Sequence, residues 1–193
     1  MAKKKYEFKP DPTGSGLLTH LYLTRSQRLS LAKWALDALV LLALLLIQDV
    51  IMSRFSLLGA TTELVAAGIL IVCLTEGAEK GGVFALAASV VYVFSGSSPG
   101  EYSIVLLTAV GVLGTVVRQA YFHRSFASTM LCAGLMLLLY EAAVWAVCLV
   151  LGQVPARAAA VFALRLALTL PWLPALYPIV RSIGKIGGEP WKE

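Results

Sequence analysis

From residue 34 to residue 180 the chain is nearly continuous hydrocarbon, broken only by short joints that carry charge, glycine or proline. The apolar runs cover residues 34–52, 57–75, 81–94, 102–120, 127–151 and 158–180. A membrane-spanning helix needs about 20 mostly apolar residues, and five of the six runs meet that length. The third is the shortest, about 21 Å of helix at 1.5 Å per residue, so it must thin the bilayer, borrow flanking residues or be re-entrant. Ten-residue segments of alternating polarity are absent, which excludes a transmembrane β-barrel. The pattern therefore predicts an all-α integral membrane protein, a six-transmembrane-helix bundle. Five spans with a re-entrant hairpin is the competing count.

Composition agrees with the pattern and narrows it. With 59% apolar residues and a mean hydropathy of +0.80, 193 residues leave no room for a soluble catalytic domain. Any function must sit between helices or in short loops. Residues 1–33 read as a basic cytoplasmic tail, residues 34–181 as the membrane domain and residues 182–193 as a second short cytoplasmic tail. Within the first tail, Leu17, Leu18, Leu21, Leu29 and Ala32 can share one helical side opposite Arg25, Arg28 and Lys33. That is the pattern of an interfacial amphipathic helix, with a plain juxtamembrane linker as its rival.

Charge then sets orientation. With six spans, thirteen of the sixteen Lys and Arg residues fall on one face, so the positive-inside rule places both termini in the cytoplasm. The net charge of +5 is explained by this topology signal and calls for no nucleic acid. A basic rim against membrane lipids is the simpler reading. Cys73, Cys132 and Cys148 all fall inside spans with no metal-ligand spacing, and read as small packing residues.

Few residues offer chemistry. Gly96-Ser97-Ser98-Pro99-Gly100 matches G-x-S-x-G, but a nucleophile elbow needs a strand before it and a His–acid pair in reach. Here the match joins two membrane helices and reads as a turn. The ionisable residues inside the runs say more. Glu141 and Arg165 are expected at similar depth in the half of the bundle away from the basic rim, and a lone charge in hydrocarbon is costly. The first expected pairing is therefore Glu141 with Arg165, with Glu63 and Asp49 as alternative partners of the arginine. Such a cluster orients the bundle, forms an interface with another membrane protein, or lines a proton or solute path. Gly111 and Gly114 with Ala109, and Ala85, Ala87, Ala88 and Ser89, form two strips smooth enough for close helix packing. No catalytic constellation, cofactor motif or metal set emerges.

Residues 81–114 resemble MreD, the integral membrane member of the bacterial rod-shape system. The resemblance is carried by Gly82-Val83-Phe84, by the turn Ser95-Gly96-Ser97-Ser98-Pro99-Gly100 and by the apolar span that follows from Tyr102. Farther on, the leucine run ending at Tyr140-Glu141 is similar to the family's fifth span, and Leu170-Pro171 through Arg181 to its last helix. Where the family often carries Asp in its third span this chain has Tyr92, and Ala88 replaces that span's second glycine.

The resemblance implies a non-enzymatic scaffold of the bacterial cytoplasmic membrane, without cofactor or metal. It would bind MreC, a single-pass protein, and help couple MreB filaments to peptidoglycan synthases. Ser95, Gly96, Pro99 and Gly100 would form the family-like turn. The family's membrane domain is also similar in shape to the substrate-binding subunits of energy-coupling-factor vitamin transporters. That sets the alternative: a ligand pocket lined by Tyr92, Tyr102, Trp145, Trp172, Glu63 and Arg165.

Overall fold

The computed structural model describes residues 25–56, 59–121 and 125–185. Among them no strand forms, and six helical rods assemble into one bundle. The first is α1 (Arg25–Leu46), which continues through a π-helical turn at Ile47–Ile51 and a 3-10 turn at Met52–Arg54. Then come α2 (Leu64–Glu76), α3 (Ala78–Phe94), α4 (Ser103–Tyr121) and α5 (Phe126–Val150). The last rod is α6 (Ala159–Thr169), joined by a 3-10 turn at Leu170–Trp172 to α7 (Leu173–Gly184).

Four rods are long and apolar enough to cross a membrane: Arg28–Arg54, Ser103–Tyr121, Phe126–Val150 and Ala159–Gly184. Their outward surfaces are hydrocarbon. Leu39, Leu42, Val105 and Leu131 are each about 60–70% exposed, an arrangement that suits lipid and is rare on soluble monomers. These helices mark the chain as a membrane protein.

Helix α2 occupies the centre. Every residue from Leu64 to Leu74 is buried, as expected of a helix that is apolar all round. It packs against α1, α3, α4, α5 and α7. Thirteen residues span only about 20 Å, and among the described residues of the run predicted over 57–75 the helix begins at Leu64. Residues 61–63 ahead of it are irregular, with Thr62 and Glu63 buried. Irregular backbone is tolerated at membrane depth only where protein encloses it. The helix starts late because its first turn is bonded from outside: the Gln48 side chain accepts the Val65 N–H at 3.0 Å.

The joint expected over residues 76–80 shrinks to Gly77. This glycine adopts φ +93°, which costs a residue without Cβ little, and α3 begins directly at Ala78. Helix α3 is thereby 17 residues long, about 25 Å, and not limited to the 81–94 core. The short third run had borrowed residues from its N-terminal flank.

The two strips of small residues are consumed inside the bundle. A Cβ on Gly111 would meet Cys73 Sγ at 3.0 Å, and one on Gly114 would meet Met136 Cγ at 2.7 Å. Ala85, Ala88 and Ser89 are buried, whereas Ala87 and Ala109 face outward.

At the basic end of the bundle, Lys33 on α1 pairs with Glu76 at the end of α2 at 2.5 Å. Arg118 on α4 donates to the Leu74 carbonyl, one of the acceptors left open at a helix C-terminus. Helix α1 runs unbroken from Arg25 into the first span. The amphipathic pattern therefore has no separate interfacial helix within the described residues, and its part before residue 25 lies outside them. Residues 1–24 of the expected N-terminal tail and residues 186–193 of the expected C-terminal tail lie outside them.

Candidate functional site: a buried carboxyl–arginine cluster

The polar residues gather at the end of α2 away from Lys33. Glu63 precedes that helix, and its backbone N–H donates to the Thr169 hydroxyl at 3.0 Å. The same hydroxyl donates to the Arg165 carbonyl at 2.8 Å. One threonine, a turn beyond the arginine, thus ties the start of α2 to the end of α6. This brings Arg165 Nη1 to 2.5 Å from Glu63 Oε1. The guanidinium also lies 5.4 Å from the Phe162 ring centroid, an attractive cation–π distance.

Glu141 enters from α5 and is 3% exposed. Its carboxyl reaches that of Glu63. The pairing expected first, Glu141 with Arg165, is replaced by Glu63 with Arg165. The reason is the late start of α2, which leaves Glu63 at the arginine's depth with its backbone already anchored to α6. Asp49 does not join the cluster. It is exposed on the π-helical turn, where the Ser97 hydroxyl donates to its carboxylate.

That contact also locates the family-like turn. Ser95, Gly96, Ser97, Ser98, Pro99 and Gly100 connect α3 to α4 and rest through Ser97 on the π-helical turn of α1. The Ser95 hydroxyl donates to the Tyr92 carbonyl at 2.7 Å, and the Tyr102 hydroxyl donates to the Pro99 carbonyl at 3.1 Å. The Ser98 hydroxyl lies 3.4 Å from the Gly100 carbonyl, within its own turn.

Gln48 is the member that the pattern of charges does not reveal. A π-helical turn carries one extra residue, turns often found at functional positions, and here it points Gln48 inward. Its oxygen accepts from Val65 and its amide lies 3.4 Å from the buried Tyr92 hydroxyl. The available signal is a lone amide in an otherwise apolar run. Replacing Gln48 by leucine should cost about 1–3 kcal/mol, because the Val65 N–H is left buried without its acceptor. The check is a lower melting temperature in detergent than that of the unmodified protein.

Beyond the cluster, Tyr92 and Tyr140 are fully buried, while Trp172 is 38% exposed. Tyr102 contacts Cys148 Sγ at 2.9 Å. Among the described residues, no group of three or more His, Cys, Asp or Glu side chains is arranged to hold a metal ion. Neither a family model, nor a curated protein, nor a solved structure matches this chain.

Proposed function

We propose that this protein is a non-enzymatic scaffold of the MreD type in the bacterial cytoplasmic membrane, with both termini on the cytoplasmic side. In this reading it binds an MreC-like single-pass protein and helps couple MreB filaments to peptidoglycan synthesis. The single observation that carries the binding role is the outer face of α6. That helix packs chiefly on α5, and Thr169 is its only buried residue. Ala159, Ala163 and Ala167 are all exposed at successive i, i+4 positions. Small residues at that spacing let a second membrane helix approach closely, and here no helix of the bundle covers them. Arg165 points the other way, into the carboxyl cluster, so the same helix is anchored on one side and open on the other.

The rival reading, a vitamin-type substrate-binding subunit, draws less support. Its pocket residues do not all converge: Trp172 faces outward, and Arg165 is engaged by Glu63. The centre of the bundle is filled by α2 side chains.

Co-purification from mild detergent with an MreC-like partner is the test. The complex should be recovered with the unmodified protein and lost when Ala163 and Ala167 are both replaced by tryptophan, with the melting temperature unchanged. Absence of any complex, or one indifferent to the two tryptophans, would overturn this assignment.

A further inference from the structure

The carboxyl cluster holds more acid than base. Arg165 spends Nη1 on Glu63 Oε1, and its Nε has no partner. Glu63 Oε2 and both oxygens of Glu141 also have no donor, although the two carboxyls lie within hydrogen-bonding reach of each other. Ionised carboxylates only accept hydrogen bonds. Two of them in contact, both shielded from water, make a repulsive pair with nothing between. Two carboxylates sharing one site cannot both ionise, because each charge raises the cost of the other.

Charge balance gives the same result. Two ionised carboxyls beside one guanidinium leave a net negative charge in a low-dielectric interior, where an unpaired charge is expensive. One proton removes that charge and supplies the missing donor. The titratable groups facing Glu141 are Glu63 ahead of α2, Arg165 on α6, Tyr92 on α3 and Tyr140 on α5 itself. Arg165 is the only cation among them, and it is already engaged by Glu63.

We propose that Glu63 and Glu141 form a binding site for a single proton, carried on Glu141 and donated to Glu63 Oε2. This site is independent of the scaffold reading and goes beyond it. The proton completes a chain of charge and hydrogen bonds from α5 through the start of α2 to α6. The bond from α5 to the start of α2 therefore exists only when the proton is bound, whereas α6 is held to Glu63 by Arg165 and Thr169 in either state. Arg165, with 19% of its side chain exposed, is the least buried member of the cluster.

Infrared spectroscopy of the full chain in lipid nanodiscs at neutral pH tests this directly. An ordinary glutamate, with a pKa of about 4.3, is ionised there. The expected result is a protonated-carboxyl C=O band that disappears in Glu141→Gln and survives in Asp37→Asn, whose site lies near the basic end. Labelling the unmodified protein with carbonyl-13C glutamate should shift the band, and labelling with 13C aspartate should not, so the result does not depend on a variant folding. Absence of the band from the unmodified protein, or a band that follows aspartate, overturns the proposal.

Discussion

Replacing Glu63 and Glu141 together by glutamine should destabilise the bundle by about 3–5 kcal/mol, the usual cost of leaving a buried charge without its partner. Arg165 would face two neutral amides, with 19% of its side chain exposed as its outlet to solvent. The single variants should separate. Glu141→Gln should be nearly neutral, because an amide N–H donates to Glu63 much as the acid O–H does. Glu63→Gln should fall between, since Glu141 can release its proton and replace Glu63 as counter-ion to Arg165. Adding Arg165→Met to the double variant should recover most of the loss, because a buried ion pair can be exchanged for apolar side chains at little cost. Thermal melting in detergent orders the four proteins. A Glu141→Gln variant as unstable as the double variant would mean that Glu141 is ionised and serves as the arginine's principal counter-ion.

The second large effect is steric. A Cβ on Gly81 would lie 2.8 Å from both Cys73 Cα and the Cys73 carbonyl oxygen, nearer than packed atoms tolerate. These are backbone atoms of the central helix and cannot rotate away. The alternative, sliding α3 outward, breaks the Cys73 thiol contact to the Gly81 carbonyl at 3.2 Å and opens the packing between α2 and α3. Gly81→Ala should therefore cost at least the roughly 1–3 kcal/mol typical of overpacking, and Gly81→Leu should abolish a monodisperse folded species in size-exclusion chromatography. Gly82→Ala is the internal comparison. A Cβ there meets only the Val112 Cγ2 methyl, at 3.0 Å, and a side chain can give way.

Much of the fold is legible in the sequence because hydrophobic length is a local property. The runs at residues 102–120 and 127–151 become α4 and α5 with boundaries moved by one residue. Pro171 and Pro174 mark the point where the last rod tightens into a 3-10 turn, since each removes a helix donor. The second run is less legible. Nothing local to residues 57–63 announces the start at Leu64, which coincides with two distant side chains taking backbone N–H groups: Thr169 that of Glu63 and Gln48 that of Val65.

The candidate site divides along the same line. Glu63, Glu141 and Arg165 stand out in the sequence because charge is rare in hydrocarbon, and all three meet at one end of the bundle. The choice of partner is not legible. Depth counted along separate helices places Glu141 beside Arg165, but the Thr169 hydroxyl fixes the Glu63 backbone against α6 and settles the competition in favour of Glu63. The small-residue strips are visible as composition, yet which strip stays open is decided by packing. Gly111, Gly114, Ala85 and Ala88 are used against neighbours, and the alanines of α6 are left outside.

By itself the sequence determined that this chain is helical and apolar enough to cross a bilayer, roughly where most of its helices run and how its charge is divided among the joints. Those properties depend on how many apolar residues stand in a row and on the summed charge of each joint, and neither depends on a distant residue. Only the tertiary structure decided that α2 is a short central helix, that Glu63 takes Arg165 while Glu141 faces Glu63, and that α6 keeps an uncovered face. Each of those is a competition between partners far apart in the chain, settled by which atoms come within about 3 Å of one another.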